Sequence, residues 1–233
     1  MIVCGIDTST ETVAVGVCEG ERVIAERSIG RGEAARPRHG EALLGAVEDC
    51  VTAAGGWEVI DRIAVGVGPG TYTGLRIGIV SARAYGAARG CEIAAVSSLQ
   101  ALAVAGRAGS ESVAAMIDAR RSEVFVAVYG GGGELISPPR TVTDCRLDEV
   151  LEAVGPGRPP LRCCGGGAVR FRAELERIEG FVVPPDGDPA HQIRGRTVAA
   201  LGALSAPVSR RQIVPVYLRE PDAKRWIERD LLA

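Results

Sequence analysis

The sequence is poor in several residue types that common functional sites require. Lys224 is the only lysine among 233 residues, which excludes a lysine-dependent site in the body of the chain. Aromatic residues make up 4%, and no uncharged apolar stretch approaches the roughly 18 residues of a membrane-spanning helix. The net charge of −2 provides no overall basic field that would attract nucleic acid.

The motifs of several enzyme classes are also missing. The Walker pattern G-x-x-x-x-G-K-[ST] does not occur, and Tyr72 stands where the "GTYTG" stretch would need the serine of a hydrolase. The chain has two histidines, His39 and His191, and the residue four positions after His39 is Leu43. A helical metal pair needs histidines at that spacing. We therefore expect no catalytic residue and no metal site in this chain.

The seven cysteines do not form a recognisable framework. Their number is odd, no two have C-x-x-C spacing, and the close pair Cys163–Cys164 is adjacent, which suits neither zinc nor a simple disulfide. The start of the chain, "MIVCGIDTST", lacks the basic region of a signal peptide. A reduced cytoplasmic location without membrane association is the expectation.

Hydrophobic periodicity predicts the same βββα order twice. In residues 1–110 three strands precede a helix from His39 to Ala54, and the strand "RIAVGV" and a glycine-rich helix follow. In residues 111–233 the strands "SVAAMID", "EVFVAVYG" and "ELISPPRTV" precede the helix "RLDEVLEAV". Strand "PLRCC", loop "GGGA", helix "RFRAELERI", a longer helix from about Ala190 to Leu204 and an amphipathic tail "KRWIERDLLA" complete the chain. The pattern predicts two related α/β lobes, 1–110 and 111–233.

The helix after the Gly68-Pro69-Gly70 turn carries small residues every four positions, which form a smooth stripe on one face. Glycine inside a helix costs roughly 1 kcal/mol relative to alanine, so the stripe indicates close approach by another element. That element is either part of this chain or a helix of another subunit. The predicted partner interface comprises His39, Glu41, Leu43, Ala46, Val47, Cys50, Thr71, Thr73, Gly74, Arg76, Gly78, Ala82, Arg83 and Gly86.

Asp7 and Asp118 each end the first strand of a lobe. Two such aspartates could face one cleft and hold a magnesium–phosphate group. The favoured alternative is that each carboxylate caps the following turn. Thr8-Ser9 and Ala119-Arg120 follow the aspartates, where a phosphate cradle would have glycine. An anion at the N–H groups of residues 71–74 is a secondary possibility.

The stretches "GIDTST", "RHGEALL", "VGVGPGTYTGLRIGI", "VSSLQALA", "MIDARRSEVFVAVY" and "VPVYLRE" carry a family resemblance. In order and spacing they resemble the bacterial TsaB (YeaZ) family, which is needed for threonylcarbamoyladenosine in tRNA. The match spans essentially the whole chain. It implies the α/β fold of actin, sugar kinases and Hsp70 (a ribonuclease H-like fold) with two βββαβα-type lobes.

The resemblance also implies partners. TsaB-like proteins pair with the related TsaD, which transfers the threonylcarbamoyl group to the adenosine beside the anticodon, and the ATPase TsaE joins them. The family's pairing surface corresponds here to residues 39–54 and 73–89. TsaD carries a metal-binding H-x-x-x-H, whereas this chain has His39 and Leu43. The resemblance therefore implies a non-catalytic subunit that binds TsaD, TsaE and, through the complex, tRNA.

Cofactors are expected at the partner subunits, which would hold ATP or ADP and the metal, while this chain alone binds none tightly. "CCGGGA" resembles a degenerate form of the adenosine-binding loop of this superfamily, and the alternative is a plain turn. Together with the strand-end aspartates, the candidate nucleotide residues are Asp7, Thr8, Asp118, Gly165, Gly166 and Gly167. The rival functions are a stand-alone ATPase or kinase of the same fold and a peptidase. An exposed small-residue face would also allow a homodimer when the chain is free.

Overall fold

The computed structural model describes residues 1–30, 39–109, 111–152, 154–155 and 160–219. Its first sheet has the strand order β3-β2-β1-β4-β5, in which β1 pairs antiparallel with β2 and parallel with β4. The strands are β1 (Ile2–Asp7), β2 (Val13–Glu19), β3 (Arg22–Ile29), β4 (Arg62–Gly68) and β5 (Glu92–Ser97).

The second sheet repeats this plan. Its order is β10-β9-β6-β7-β8, with β6 antiparallel to β7 and parallel to β9. The strands are β6 (Val113–Arg120), β7 (Glu123–Tyr129), β8 (Leu135–Thr143), β9 (Leu161–Cys164) and β10 (Phe181–Val182). Three antiparallel strands followed by two parallel ones therefore occur twice, and the predicted two-lobed α/β, actin-like fold is confirmed.

The helices form layers around the two sheets. Helices α1 and α2 cover the outer face of the first sheet, and α4, α5 and α6 cover that of the second. Helices α3 and α7 lie between the sheets, where Leu99, Leu102 and Val198 are buried. The helices are α1 (His39–Ala53), α2 (Tyr72–Arg89), α3 (Ser98–Gly106), α4 (Asp148–Glu152), α5 (Gly166–Arg170), α6 (Arg172–Leu175) and α7 (Gly195–Leu204).

Several predicted helices are shorter or differently placed. The helix expected from about Ala190 is divided: Asp188 caps a 3-10 turn, Pro189–His191, by accepting from the Ala190 N–H at 2.8 Å, and α7 begins only at Gly195. The "GGGA" loop is instead the start of α5, and α3 was not predicted as a helix. The predicted tail "KRWIERDLLA" lies outside the described residues.

Part of the predicted second lobe, 111–233, lies on the first sheet. Helix α7 packs on β1 and β2 of the first sheet so closely that a Cβ at Gly195 would lie 2.1 Å from the Val15 carbonyl carbon. Ile213 is buried in the core under α1 and α2. The Val208 N–H donates to the Ile93 carbonyl at 2.8 Å. The chain thus returns to the first lobe after building the second.

Candidate functional site

Helix α1 buries one face against the first sheet. Leu43, Ala46, Val47 and Cys50 lie on this face and belong to the core that α1 shares with β1, β2 and β4. Their side chains cannot reach a partner, because the sheet covers them. The four side chains that the sequence analysis assigns to the partner interface are thus buried within the first lobe.

The small-residue stripe of α2 is also buried in its own lobe. A Cβ at Gly74 would lie 2.0 Å from the Thr8 carbonyl oxygen, one at Gly78 would lie 2.4 Å from Thr8 Oγ1, and one at Gly86 would lie 2.5 Å from Ile93 Cδ1. Ala82 is fully buried. The turn after β1 and the side chains of β5 thus approach the helix backbone directly. The contacts that the structure shows for the stripe are within the chain, which is the first of the two explanations.

The rest of the predicted interface lies on the outward faces. Glu41, Thr73 and Arg76 are exposed, and Thr71 and Arg83 are half-buried. Thr71 is the N-cap residue of α2, and its N–H donates to the Ser9 carbonyl at 2.7 Å. His39 begins α1, but its side chain lies outside the described part of the structure.

The outward faces also carry apolar side chains that the sequence analysis missed. Leu44 on α1 is 54% exposed, and Tyr72 and Val80 on α2 are 45% and 61% exposed. Leu44 lies beside the buried Leu43, while Tyr72 and Val80 are spaced eight residues apart on the helix surface. In the sequence, such a side chain can be recognised as an apolar residue that does not follow the helical spacing of the buried positions. The outward faces of α1 and α2 thus each carry exposed apolar side chains.

The C-terminal segment, which we define as residues 208–219, lies against α2. The Val216 N–H donates to the Val67 carbonyl at 2.8 Å. The Tyr217 ring stacks on Tyr72 with 5.3 Å between centroids, and Tyr217 Oη accepts from Arg76 Nε at 3.2 Å. The Arg76 guanidinium lies 3.8 Å from the centroid of the Tyr72 ring. Tyr72, Arg76 and Tyr217 thus form one cluster at the surface.

A second candidate site is a cleft of about 270 Å³ between the lobes. The hydroxyl residues Ser9, Thr10, Thr12 and Thr71 line it on the first lobe, and Asp118, Gly166 and His191 line it on the other side. Of the six predicted nucleotide residues, the structure places Asp118 and Gly166 in this lining.

The other four predicted nucleotide residues have structural roles. Thr8 Oγ1 donates to the Gly74 carbonyl at 2.7 Å beneath α2. A Cβ at Gly165 would lie 2.2 Å from the Met116 carbonyl oxygen, and one at Gly167 would lie 2.6 Å from Val124 Cγ2. These glycines allow α5 to lie against β6 and β7.

The Asp7 carboxylate is completely buried. One oxygen accepts from the Ser9 N–H at 2.8 Å and from Ser9 Oγ at 2.6 Å, and the other accepts from Ser98 Oγ at 2.7 Å. Burial raises the pKa of Asp7 above its ordinary value, although the hydrogen bonds from Ser9 and Ser98 oppose the shift. Ser98 Oγ also accepts from the Gly68 N–H at 3.2 Å. The carboxylate therefore caps its turn, as the favoured alternative predicts.

In the cleft, Asp118 and His191 form hydrogen bonds or ion pairs with neighbouring residues. Asp118 accepts from the Arg120 N–H at 2.8 Å and forms an ion pair with Arg170. His191 Nδ1 lies 3.1 Å from the Gly165 N–H and Nε2 lies 3.0 Å from the Pro184 carbonyl, so the ring accepts at Nδ1 and donates at Nε2. The contacts fix this tautomer and orient the ring as a structural link.

The described ranges contain no group of three or more histidine, cysteine, aspartate or glutamate residues placed to hold a metal ion. Across the same ranges, no helix combines the length and apolar character needed to span a bilayer.

Comparison with known proteins gives consistent matches along the chain. Residues 27–172 match the family model described as TsaD: tRNA N6-adenosine threonylcarbamoyltransferase. The chain is 29% identical to the tRNA threonylcarbamoyladenosine biosynthesis protein TsaB of Bacillus subtilis, over 98% of this chain and 99% of that protein. It is 32% identical to an uncharacterized protein of Mycobacterium tuberculosis strain H37Rv, over 95% and 93% of the two chains. YeaZ from Pseudomonas aeruginosa superposes with a TM-score of 0.75 at 30% identity, covering 93% of this chain and 99% of that one.

Proposed function

The chain belongs to the TsaB (YeaZ) family, within the wider family of the TsaD model, and we propose that it is a non-catalytic subunit in tRNA threonylcarbamoyladenosine biosynthesis. It binds TsaD and supports this partner in transferring the threonylcarbamoyl group to the adenosine beside the anticodon. TsaE joins the assembly, and tRNA is bound through the complex. The complex works in the cytoplasm.

The observation that carries this proposal is the exposed outer surface of α1 and α2. Leu44 and Val80 are 54% and 61% exposed, although their helices are packed on the first sheet. Exposed apolar side chains next to tyrosine and arginine are typical of protein–protein interfaces. Binding TsaD here would remove that apolar surface from water.

The non-catalytic role is supported by the contacts of the polar groups. Leu43 occupies the position of the second histidine in H-x-x-x-H and is buried. The Asp7 carboxylate is held by Ser9 and Ser98, and Asp118 is held by Arg120 and Arg170. A catalytic base or metal ligand must have a free lone pair directed at the reacting group. In this proposal ATP or ADP and the metal belong to the partner subunits.

The first test measures the modified nucleoside in cells. Depletion of this chain should lower threonylcarbamoyladenosine in hydrolysed tRNA, as measured by mass spectrometry, and re-expression of the wild-type chain should restore it. Unchanged levels after depletion would disprove the assignment. ATP turnover by the purified chain alone, lost in Asp7→Ala, would instead establish the rival ATPase or kinase function.

The same cells can be used to test whether TsaD binds the outer surface of α1 and α2. The double variant Leu44→Asp with Val80→Asp should fail to co-purify with TsaD and fail to restore the nucleoside, because the carboxylates would have to be desolvated in the interface. Leu204→Asp is the matched control, since Leu204 is 87% exposed at the end of α7 and lies away from this surface. Equal co-purification of all three proteins would place the TsaD contact elsewhere.

A further inference from the structure

The hairpin between β6 and β7 has an unusual backbone. Arg120 faces Glu123 in the sheet register, so Arg121 and Ser122 form a two-residue loop. Positive φ angles of 65°, 52° and 57° occur at Arg120, Arg121 and Ser122, none of which is glycine. Such loops normally use asparagine and glycine, because a Cβ atom makes this left-handed region unfavourable. The hairpin therefore has a strained conformation that contacts with the rest of the molecule must maintain.

Contacts at the base and at the tip hold the hairpin. At its base, Arg219 donates to the Ala119 carbonyl at 3.0 Å, and the Asp118 carboxylate accepts from the Arg120 N–H at 2.8 Å. At its tip, the Arg120 guanidinium pairs with Glu11 of the first lobe. Both members of this pair line the interlobe cleft and are about half exposed, so the pair lies where the cleft meets solvent.

The Arg120–Glu11 ion pair can be exchanged at low cost. Its side chains are 53% and 45% exposed, and ion pairs at such exposure are weak because water screens the charges. Arg120 also lies 3.5 Å from Asp118, which orients the guanidinium, and the charge of Asp118 is compensated by Arg170. A ligand can therefore replace the Glu11 carboxylate on a guanidinium that is already positioned.

The charges at this position favour a ligand that carries both signs. An anion alone on Arg120 would be repelled by the displaced Glu11 carboxylate and by Asp118, and a cation alone on Glu11 would be repelled by Arg120. A molecule with one carboxylate and one ammonium group satisfies both sides, since its carboxylate accepts from the guanidinium and its ammonium donates to Glu11. An α-amino acid carries these two groups on one carbon atom. A zwitterion is therefore favoured over a phosphate-bearing ligand.

The cleft beside the ion pair suits a small side chain. Its volume is about 270 Å³, and the buried apolar residues Leu102, Ile117 and Ile193 line one part of it. Thr71 lines another part, and its hydroxyl makes no capping hydrogen bond to α2. Small-molecule sites typically combine an apolar lining with a few polar groups that orient the ligand. A side chain with a methyl and a hydroxyl group, such as that of threonine, matches this lining.

We infer that the interlobe cleft binds a small α-amino acid and that the β6–β7 hairpin is the lid over this site. The ligand carboxylate binds Arg120, its ammonium binds Glu11, and its side chain occupies the cleft. Because the hairpin is strained in the closed conformation, the entry of the ligand is accompanied by a backbone movement of residues 120–122. The site is distinct from the outer surface of α1 and α2, and the inference goes beyond the proposed function.

The experiment is a nuclear magnetic resonance titration of the ¹⁵N-labelled full chain with L-threonine. Saturable shifts are expected at the amides of residues 9–12 and 118–122. L-Threonine methyl ester lacks the carboxylate and N-acetyl-L-threonine lacks the ammonium, so each should bind at least about tenfold more weakly. Equal affinity for the three probes, or no saturable shift at these amides, would overturn the inference.

Variants of the ion pair test the same site from the side of the protein. Glu11→Gln and Arg120→Gln should each weaken the binding of L-threonine by about tenfold. Glu19→Gln and Arg22→Gln are the matched controls: they neutralise another ion pair of the first lobe, with a distance of 2.8 Å and side chains 49% and 70% exposed, and should bind like the wild type.

The two proposals fail separately, because TsaD is absent from this titration. Wild-type affinity in both cleft variants would overturn the amino-acid site and leave the proposed function unaffected. Unchanged threonylcarbamoyladenosine after depletion would disprove the proposed function and leave the amino-acid site unaffected.

Discussion

Asp7 shows how one residue type can have different roles in one fold. A carboxylate at the end of the first strand would be available to a metal if it faced the cleft. Here Ser9 and Ser98 donate to both of its oxygens, and the whole side chain is buried. A Cβ at Gly66 would lie 1.9 Å from Asp7 Oδ2, so the adjacent strand also closes around the carboxylate. Asp7 connects the turn after β1 to the start of α3.

The burial of Asp7 predicts that the free energy of unfolding depends on pH. Because the pKa of Asp7 is raised in the folded chain, the folded state keeps a proton that the unfolded chain has lost. The stabilisation linked to this proton is complete below the unfolded pKa and is lost as the pH rises through the folded pKa. As the pH rises above about 4, the ordinary pKa of an aspartate, the free energy of unfolding of Asp7→Asn should therefore rise relative to the wild type. Urea titrations at each pH measure this difference, and parallel curves for the two proteins would contradict it.

Helix α2 illustrates how an element is shaped by what lies beneath it. Its glycines lower the intrinsic stability of the helix, but they let the backbone rest on Thr8 of the turn after β1 and on Ile93 of β5. The helix ends at Gly90, whose φ of 71° is favourable for glycine and whose N–H donates to the Gly86 carbonyl. The buried stripe thus positions the outer face on which the proposed partner binds.

Two glycine-to-alanine substitutions should have opposite effects. In Gly74→Ala the new methyl group would lie 2.0 Å from a backbone carbonyl oxygen, and the helix must shift, which should reduce the free energy of unfolding by about 1–3 kcal/mol. Gly45→Ala on α1 has no heavy atom within 4 Å of the new Cβ and should increase stability by about 0.5–1 kcal/mol. Chemical denaturation measures both. A stable Gly74→Ala would show that the stripe is not tightly packed.

At the scale of the whole molecule, the C-terminal segment connects the lobes. It crosses from the first sheet, where Val208 pairs with Ile93, to the second lobe. There Arg219 donates to the Ala119 carbonyl at 3.0 Å and to Glu123 at 2.9 Å. Across the cleft, Arg120 pairs with Glu11 of the first lobe. These contacts fix the relative orientation of the lobes in addition to the packing of α3 and α7.

The Arg219–Glu123 pair should be measurably coupled. Both side chains are about one-fifth exposed, so solvent screening is only partial, and a double-mutant cycle of Arg219→Met and Glu123→Gln should give a coupling energy of about 1 kcal/mol. Thermal unfolding of the four proteins provides the values. Strictly additive effects would show that the pair contributes nothing to joining the lobes.

The succession of elements was determined by the sequence itself. Alternating apolar residues and turn-forming glycines predicted the βββα order of both lobes, because these patterns depend on neighbours along the chain. The local capping role of Asp7 was also predictable, since its partner Ser9 is two residues away. The motif resemblance identified the family for the same reason: each motif is a continuous stretch.

Only the tertiary structure decided which side of each helix is free. Gly74 and Gly78 form a smooth stripe whether a partner or Thr8 covers it, and the sequence does not specify which contact is made. Tyr217 stacks on Tyr72, which lies 145 positions earlier in the chain, and Ile213 enters the core of the first lobe. Such contacts depend on the folding of the entire chain, because burial arises from packing between distant segments. The candidate surface thus became visible only when the buried faces were known.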